Sequence, residues 1–429
     1  MSFILDCLYL LAGVVVLPYW LWKLPQAPRY RAGLLQRLGF SPRMPEAARR
    51  LWVHCASVGE AAIPRQLVAR FRRRHPDWHI VFSTNTNTGA ARLHELYPES
   101  PVFYMPLDLS PCVRTALSRV RPDVVLLVEL EFWPNFVRAC RTQGVRTAII
   151  NGRIGVRSRH LLGVLGLLCR GLWDSVQVCC ARSSDDAAGF LAAGMPPAKV
   201  FNCGSLKCDN LTVEVDPAKE RYLRRLFAIA PGVPVLVGGS THHGEESILA
   251  TLYRDLRLKH RGLRLIIAPR HIERAREAAA AVRARGLPVL RKTELEGGKA
   301  VASSSEVIVV DTVGDLVACY ALATCAFVGR SLMAPGGGQN MMEPAALGKP
   351  VLIGPYTANF GPEMSHLTSA GAALVVRGPR ELARQVDRLL SDPALADQMG
   401  KAGQRIVRES RGATERALSR LECLFRDGR

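Results

Sequence analysis

The chain has 429 residues, 48% of them hydrophobic and 22% charged, a globular balance with length enough for two or three domains. It carries 57 Lys and Arg against 37 Asp and Glu, a net charge of +20 that suits an anionic membrane surface or a phosphorylated ligand. Neither zinc-finger spacing nor an RRM-like aromatic motif accompanies that charge, so no nucleic acid is expected as a partner. The twelve cysteines form no C-x-x-C pair, and most, Cys179 and Cys180 among them, sit in apolar runs as small core residues of a reducing compartment.

Residues 3–22 (FILDCLYLLAGVVVLPYWLW) hold a single charge, Asp6, and are long enough to span a bilayer. No basic stretch precedes them and no small-x-small cleavage site stands out after them, which argues against a removed signal peptide. Tyr19, Trp20 and Trp22 suit an aromatic belt, while Pro18 weakens a straight rigid span. Residues 23–74 then carry twelve Lys and Arg and two acidic residues, so this side is expected to face the cytoplasm. The expectation is a membrane-anchor helix over residues 1–24, either spanning or lying in the inner leaflet. The alternative is a buried core helix.

From residue 51 strand and helix alternate. Apolar runs at 51–56, 80–83, 102–105, 124–129, 146–150 and 176–180 form one set. A second set lies at 233–237, 263–267, 307–310, 325–328, 351–353 and 373–376, after a more polar helical stretch. Such alternation predicts an α/β architecture with a parallel sheet wrapped on both faces in each half. Domains are expected over 25–205 and 206–400, with a C-terminal helix at 401–429 packing back on the first. Two doubly wound domains imply a cleft facing the carboxyl ends of the strands.

The turns after these strands hold the residues able to do chemistry. ASVGE (56–60) opens a helix whose start favours an ionised Glu60, the state a general base for an alcohol needs. ELEFWPN (129–135) ends a strongly apolar strand, and Glu129 and Glu131 point the same way if that strand continues, as in a metal site or a polar acceptor pocket. NGRIG (151–155) repeats the theme with Asn151. In the second half, GGSTHHGEE (238–246) offers the hydroxyls of Ser240 and Thr241, APRH (268–271) offers Arg270 for an anion, and DTVGDL (311–316) follows the third strand.

Residues 326–355 (AFVGRSLMAPGGGQNMMEPAALGKPVLIGP) run from a strand through Gly336, Gly337 and Gly338 into a short helix that Asn340 or Glu343 can cap. Glycines let backbone N–H groups approach an anion, the helix start adds positive potential, and Glu343 suits ribose hydroxyls. Each turn alone is an ordinary βα loop; together they read as a nucleotide site. With no Walker A lysine and no G-x-G-x-x-G after a strand, neither NTP hydrolysis nor a dehydrogenase fits.

In this order, ASVGE, ELEFWPN, NGRI, GGSTHHGEE, APRH, DTVGDL and SLMAPGGGQNMMEPAALGKPVLIGP resemble the Kdo (3-deoxy-D-manno-octulosonic acid) transferases of lipopolysaccharide synthesis over nearly the whole chain. The resemblance implies a GT-B fold of two Rossmann-like domains and an inverting transfer of Kdo from CMP-Kdo to a lipid A precursor (lipid IVA). It also implies no cofactor and no required metal, and a place among the lipids of the inner membrane, with the catalytic domains on the cytoplasmic side. By the same resemblance Glu60 is the general base, Glu129 and Glu131 help position acceptor or donor, and Asn151 is grouped with them as an acceptor or positioning residue. Ser240, Thr241, Pro269, Arg270, His271, Gly314, Ser331, Gly337, Asn340 and Glu343 bind the donor, with Arg270 near the CMP phosphate and Glu343 at the ribose. The chain departs from the family pattern at Arg330 (a second glycine in FVGGS), Gln339 (His), Asp315 (Glu) and Gly155 (Ser). The rival readings are another GT-B protein acting on a UDP-sugar and an inactive membrane scaffold. Intact Glu60, Asn340 and Glu343 count against the scaffold.

Overall fold

A computed structural model of the protein describes residues 5–7, 9–11, 32–45, 49–131, 133–155, 171, 173–298, 300–303 and 306–426. The chain divides into two compact units, one of Met1–Asn210 with Ser410–Arg429, the other of Leu211–Glu409.

Unit 1 is built on seven parallel strands: β1 (Arg50–His54), β2 (His79–Thr84), β3 (Val102–Tyr104), β4 (Val124–Val128), β5 (Arg146–Gly152), β6 (Val178–Ala181) and β7 (Val200–Asn202). Their order is β3-β2-β1-β4-β5-β6-β7. β1 and β4 lie at the centre and every residue of both is buried, as parallel strands covered on both faces must be. Alternate side chains enter two cores. Leu51, Val53 and Phe71 lie in one, Trp52, Leu127 and Phe136 in the other.

Unit 2 repeats the plan with β8 (Val235–Thr241), β9 (Arg264–Pro269), β10 (Val289–Arg291), β11 (Val307–Val309), β12 (Cys325–Val328), β13 (Val351–Ile353) and β14 (Ala373–Val375). The order is β10-β11-β9-β8-β12-β13-β14, again all parallel. The strand order reverses between β1 and β4 in unit 1 and between β8 and β12 in unit 2. At such a switch point neighbouring loops diverge and leave room for a ligand beyond the strand ends.

All twelve expected strands are present. β7 and β10 were not expected; each has three residues and closes a sheet edge, too short to show a period. The last helix, Ala413–Phe425, belongs to unit 1, where Leu418, Leu421, Leu424 and Phe425 join the core containing Phe71. Residues 401–409 stay with unit 2.

Most of the expected anchor, residues 1–4, 8 and 12–24, lies outside the described residues. Among the described residues no helix is long and apolar enough to cross a membrane. The described part of the segment bonds to unit 1. Asp6 Oδ1 accepts from the Ser110 N–H at 3.0 Å and from Asn135 Nδ2 at 2.9 Å, and the Tyr9 hydroxyl donates to Asp108 at 3.1 Å.

Candidate active site

At the unit 1 switch point, the chain leaves β1 and turns at Ser57 into the short helix Val58–Ala61. Glu60, partly buried there, folds back over the helix start. Its Oε1 accepts from the Ser57 hydroxyl at 2.8 Å and its Oε2 from the Ala56 N–H at 2.9 Å. The helix start was expected to favour the ionised form, yet burial drives the pKa of Glu60 up. The Ser57 and Ala56 hydrogen bonds pull it back down, and the nearby charges of Glu129 and Glu131 raise it again. The result is a more basic carboxylate than the sequence implied.

Glu129 and Glu131 do not form the paired carboxylate expected of a continuing strand. β4 ends at Val128, and Glu129 takes a left-handed backbone (φ 62°) that redirects the chain. The two side chains therefore find separate partners. Glu129 Oε1 accepts from Lys207 Nζ at 3.0 Å, while Glu131 Oε2 accepts from Asn85 Nδ2 at 3.3 Å and Trp133 Nε1 at 3.2 Å. Asn151 is buried at the end of β5, where its Oδ1 accepts from the Leu206 N–H at 2.9 Å and its Nδ2 has no partner among the described residues. Its visible role is to hold the start of helix Leu206–Asp209. Lys207, Asn85 and His54 were not singled out in the sequence, because each meets these carboxylates only through the fold.

In unit 2 the ends of β8 and β9 are tied together, the Arg270 N–H donating to the Thr241 carbonyl at 3.1 Å. Ser240, Thr241, Pro269, Arg270 and His271 thus form one rim, with Arg270 and His271 exposed on it. The loop after β12 is held by a carboxylate. The buried Glu245 accepts from the N–H groups of Arg330 (2.8 Å), Ser331 (3.0 Å) and Leu332 (3.2 Å), and from that of His242 at 2.9 Å. Gly329 makes this approach possible, since a Cβ there would meet the Ser240 carbonyl oxygen at 2.5 Å.

Several groups expected to serve a ligand are engaged within the protein. The Thr241 hydroxyl donates to Glu246 at 3.0 Å. The Ser331 hydroxyl donates to the Val328 carbonyl at 2.6 Å and accepts from the Gly354 N–H at 2.9 Å, joining β12 to β13. The Gly337 and Gly338 N–H groups bond to the carbonyls of Tyr356 (3.0 Å) and Arg330 (2.8 Å), so the glycine loop is a folded clamp and not an open cradle of donors. Gly314 is exposed, and its carbonyl accepts from Lys219, which also pairs with Asp315 at 2.8 Å. Asn340 Oδ1 accepts from the Met342 N–H at the start of helix Met342–Ala346, and its Nδ2 donates to Glu343 at 3.1 Å. Burial raises the pKa of Glu343, against the hydrogen bond from Asn340 and the field of Arg270, which brings the APRH and QNMMEP motifs to one locality.

Among the described residues six non-glycines have positive φ. Arg121 and Ala228 follow helix ends, whereas Glu129, Asn151, Ser240 and Arg330 stand at the carboxyl ends of β4, β5, β8 and β12. Backbone held in this region costs on the order of 1 kcal/mol or more per residue and clusters at functional sites. Both sheets therefore concentrate strain at the strand ends where the motifs lie.

A model of the family described as 3-deoxy-D-manno-octulosonic-acid transferase (kdotransferase) matches residues 32–210. The 3-deoxy-D-manno-octulosonic acid transferase of Haemophilus influenzae is 30% identical over 400 residues, 92% of each chain. That of Bordetella pertussis is 32% identical over 421 residues, 94% of this chain and 95% of the other. Among solved structures, the UDP-GlcNAc 2-epimerase from Neisseria meningitidis bound to UDP-GlcNAc superposes with a TM-score of 0.60 over 86% of this chain and all of the other (100%), at 15% identity. At that identity the likeness speaks for the fold, which is of GT-B type.

Proposed function

The chain belongs to the 3-deoxy-D-manno-octulosonic acid transferase family, and from that premise we propose that it moves Kdo from CMP-Kdo to a lipid A precursor with inversion, Glu60 acting as general base. The observation that carries the base assignment is a carboxylate at the switch point of unit 1, made more basic by burial and by two neighbouring carboxylates. As the primary hydroxyl of the acceptor attacks the anomeric carbon of Kdo, its proton passes to Glu60. The bond from that carbon to the phosphate oxygen breaks, and CMP departs with the electron pair. Proton transfer to a positioned base of raised pKa accelerates this step by about 10²–10⁴.

Unit 1 supplies the acceptor side, with Glu131 and the Lys207–Glu129 pair ordering the sugar. Unit 2 supplies the donor side. There Arg270 offers an exposed guanidinium to the leaving phosphate, and Asn340 and Glu343 suit the ribose. No step requires a metal ion or cofactor. The net charge of +20 favours capture of two anionic substrates. Attachment to the cytoplasmic face of the inner membrane belongs to the same proposal. It is supported by residues 3–22 and by exposed Leu34, Leu35, Leu38 and Phe40 beside Arg37, Arg43 and Arg119.

The test is incubation of the purified protein with CMP-Kdo, generated in situ, and a tetra-acylated lipid A precursor, followed by mass spectrometry of the lipid. A gain of one or more Kdo masses is expected. No gain, with the coupling enzyme and a control transferase active, overturns the assignment.

A further inference from the structure

His54, the last residue of β1, is fully buried on the face of the sheet that also buries Trp52. A buried imidazole is tolerated when both nitrogens find partners. Nδ1 has one, the Ser83 hydroxyl at 2.9 Å, whereas Nε2 has no hydrogen-bond partner among the described residues and faces Glu131 Oε2 at 3.7 Å.

The position of the ring proton follows from the groups behind it. Ser83 Oγ accepts the Trp52 indole N–H at 2.7 Å, so that lone pair is taken. Its own proton has two takers, His54 Nδ1 and the Met105 sulfur at 3.7 Å. A thioether is the weaker acceptor. Nδ1 therefore accepts, and the ring proton sits on Nε2, aimed at Glu131.

The Glu131 oxygen that this N–H faces is already bonded to Asn85 and Trp133, while its Oε1 has no hydrogen-bond partner among the described residues. Two N–H groups hold this oxygen and the His54 ring faces it at 3.7 Å, which leaves the other oxygen for a ligand.

We propose that His54 is a positioning residue for Kdo transfer: through Nε2–H it holds Glu131 so that Oε1 receives a hydroxyl of the acceptor. This rests on unit 1 being the acceptor side. Contacts of this kind are often long before substrate binds and tighten in the complex, and the 3.7 Å separation closes in that way.

Steady-state kinetics of the full chain, with CMP-Kdo and the acceptor varied separately, tests it. His54→Leu removes the N–H, whereas His54→Gln places an amide N–H near the same point. His54→Leu should raise the acceptor KM about ten- to a hundredfold, the effect of losing a hydrogen bond to a charged group, with the donor KM unchanged. His54→Gln should restore most of that loss. In a Glu131→Gln background His54→Leu should add nothing, because the histidine acts through Glu131.

A purely structural role gives the opposite pattern: both KM values and kcat worsen together, Gln does not rescue, and the losses add. Any of these outcomes overturns the proposal. If His54→Leu does not fold, Ser83→Ala carries the test. It frees the proton to move to Nδ1 and should raise the acceptor KM alone; an unchanged acceptor KM overturns the assignment. Failure of the wild-type chain to transfer Kdo strikes the functional reading itself, and the wild-type control separates that result from a failure of His54 alone.

Discussion

Glu60 illustrates how a site assembles opposing influences on one side chain. Burial disfavours its charge, Ser57 and Ala56 support it, and Glu129 and Glu131 oppose it again, leaving the pKa above the usual glutamate range. The ionised, active form is then lost as pH falls through that raised value. The acidic limb of kcat/KM should lie above the ordinary glutamate range and vanish in Glu60→Gln. That variant should lose turnover by about 10²–10⁴ while still binding CMP. A limb at ordinary glutamate values in the wild type would remove Glu60 from the role. Arg330 is the second telling residue. It stands where the motif that the sequence resembles has a second glycine, and its φ of 54° is one that glycine adopts without strain. Its exposed guanidinium has no partner among the described residues, so the side chain does nothing there to offset the strained backbone. Arg330→Gly should leave stability unchanged or raise it by at most about 1 kcal/mol, yet raise the donor KM several-fold. Thermal melting and donor-dependent rates check the two halves, and unchanged donor KM would deny Arg330 a ligand role.

Elements differ in how much of themselves they write into the sequence. The central strands were legible because both faces are covered, so Val124–Val128 reads VVLLV without a polar interruption. The motif turns were legible because a strand end followed by glycine and a carboxylate is a local pattern. What could not be read were partners far apart in the chain, such as Lys207 with Glu129 at a separation of 78, and hydroxyls such as those of Thr241 and Ser331, engaged by neighbours that only the fold supplies. The helix Pro134–Thr142 is a clear case. It lacks a cap from its own N-cap residue, Trp133; Asp108 accepts instead from the N–H groups of Asn135 at 3.0 Å and Phe136 at 2.8 Å. Burial first of all raises the Asp108 pKa from 3.8 to about 6. The folded state thus binds this proton more tightly than the unfolded chain. Its stabilising contribution is complete below about 3.8 and is lost as pH rises through about 6. Asp108→Asn should cost about 1 kcal/mol through the weakened cap and should flatten the stability change between these pH values. Melting curves across the window, for wild type and variant, measure it; equal slopes would deny Asp108 its raised pKa.

At the scale of the whole molecule, two sheets of the same design stand on separate cores, and one core draws on both ends of the chain. Leu418, Leu421, Leu424 and Phe425 are each buried in unit 1, and at about 1.5–3 kcal/mol apiece they contribute on the order of 6–12 kcal/mol, comparable with the net stability of a domain. The exposed pairs of Arg70 and Arg74 with Glu415 add little to this. Removal of residues 413–429 should therefore abolish the cooperative melting of unit 1 and leave that of unit 2. Calorimetry of the truncated chain decides, and a trace identical to that of the full chain would refute the dependence. The same arrangement has a consequence on the ribosome. The domain begun first is the last that can be finished, since the whole of Leu211–Glu409 emerges before its closing helix does. At about 5–20 residues per second, the roughly 200 intervening residues leave the nascent first domain waiting on the order of 10–40 s with the core containing Phe71 lacking its last helix. Sheltering the apolar gap that this helix later fills is a task of biosynthesis that the finished enzyme no longer displays.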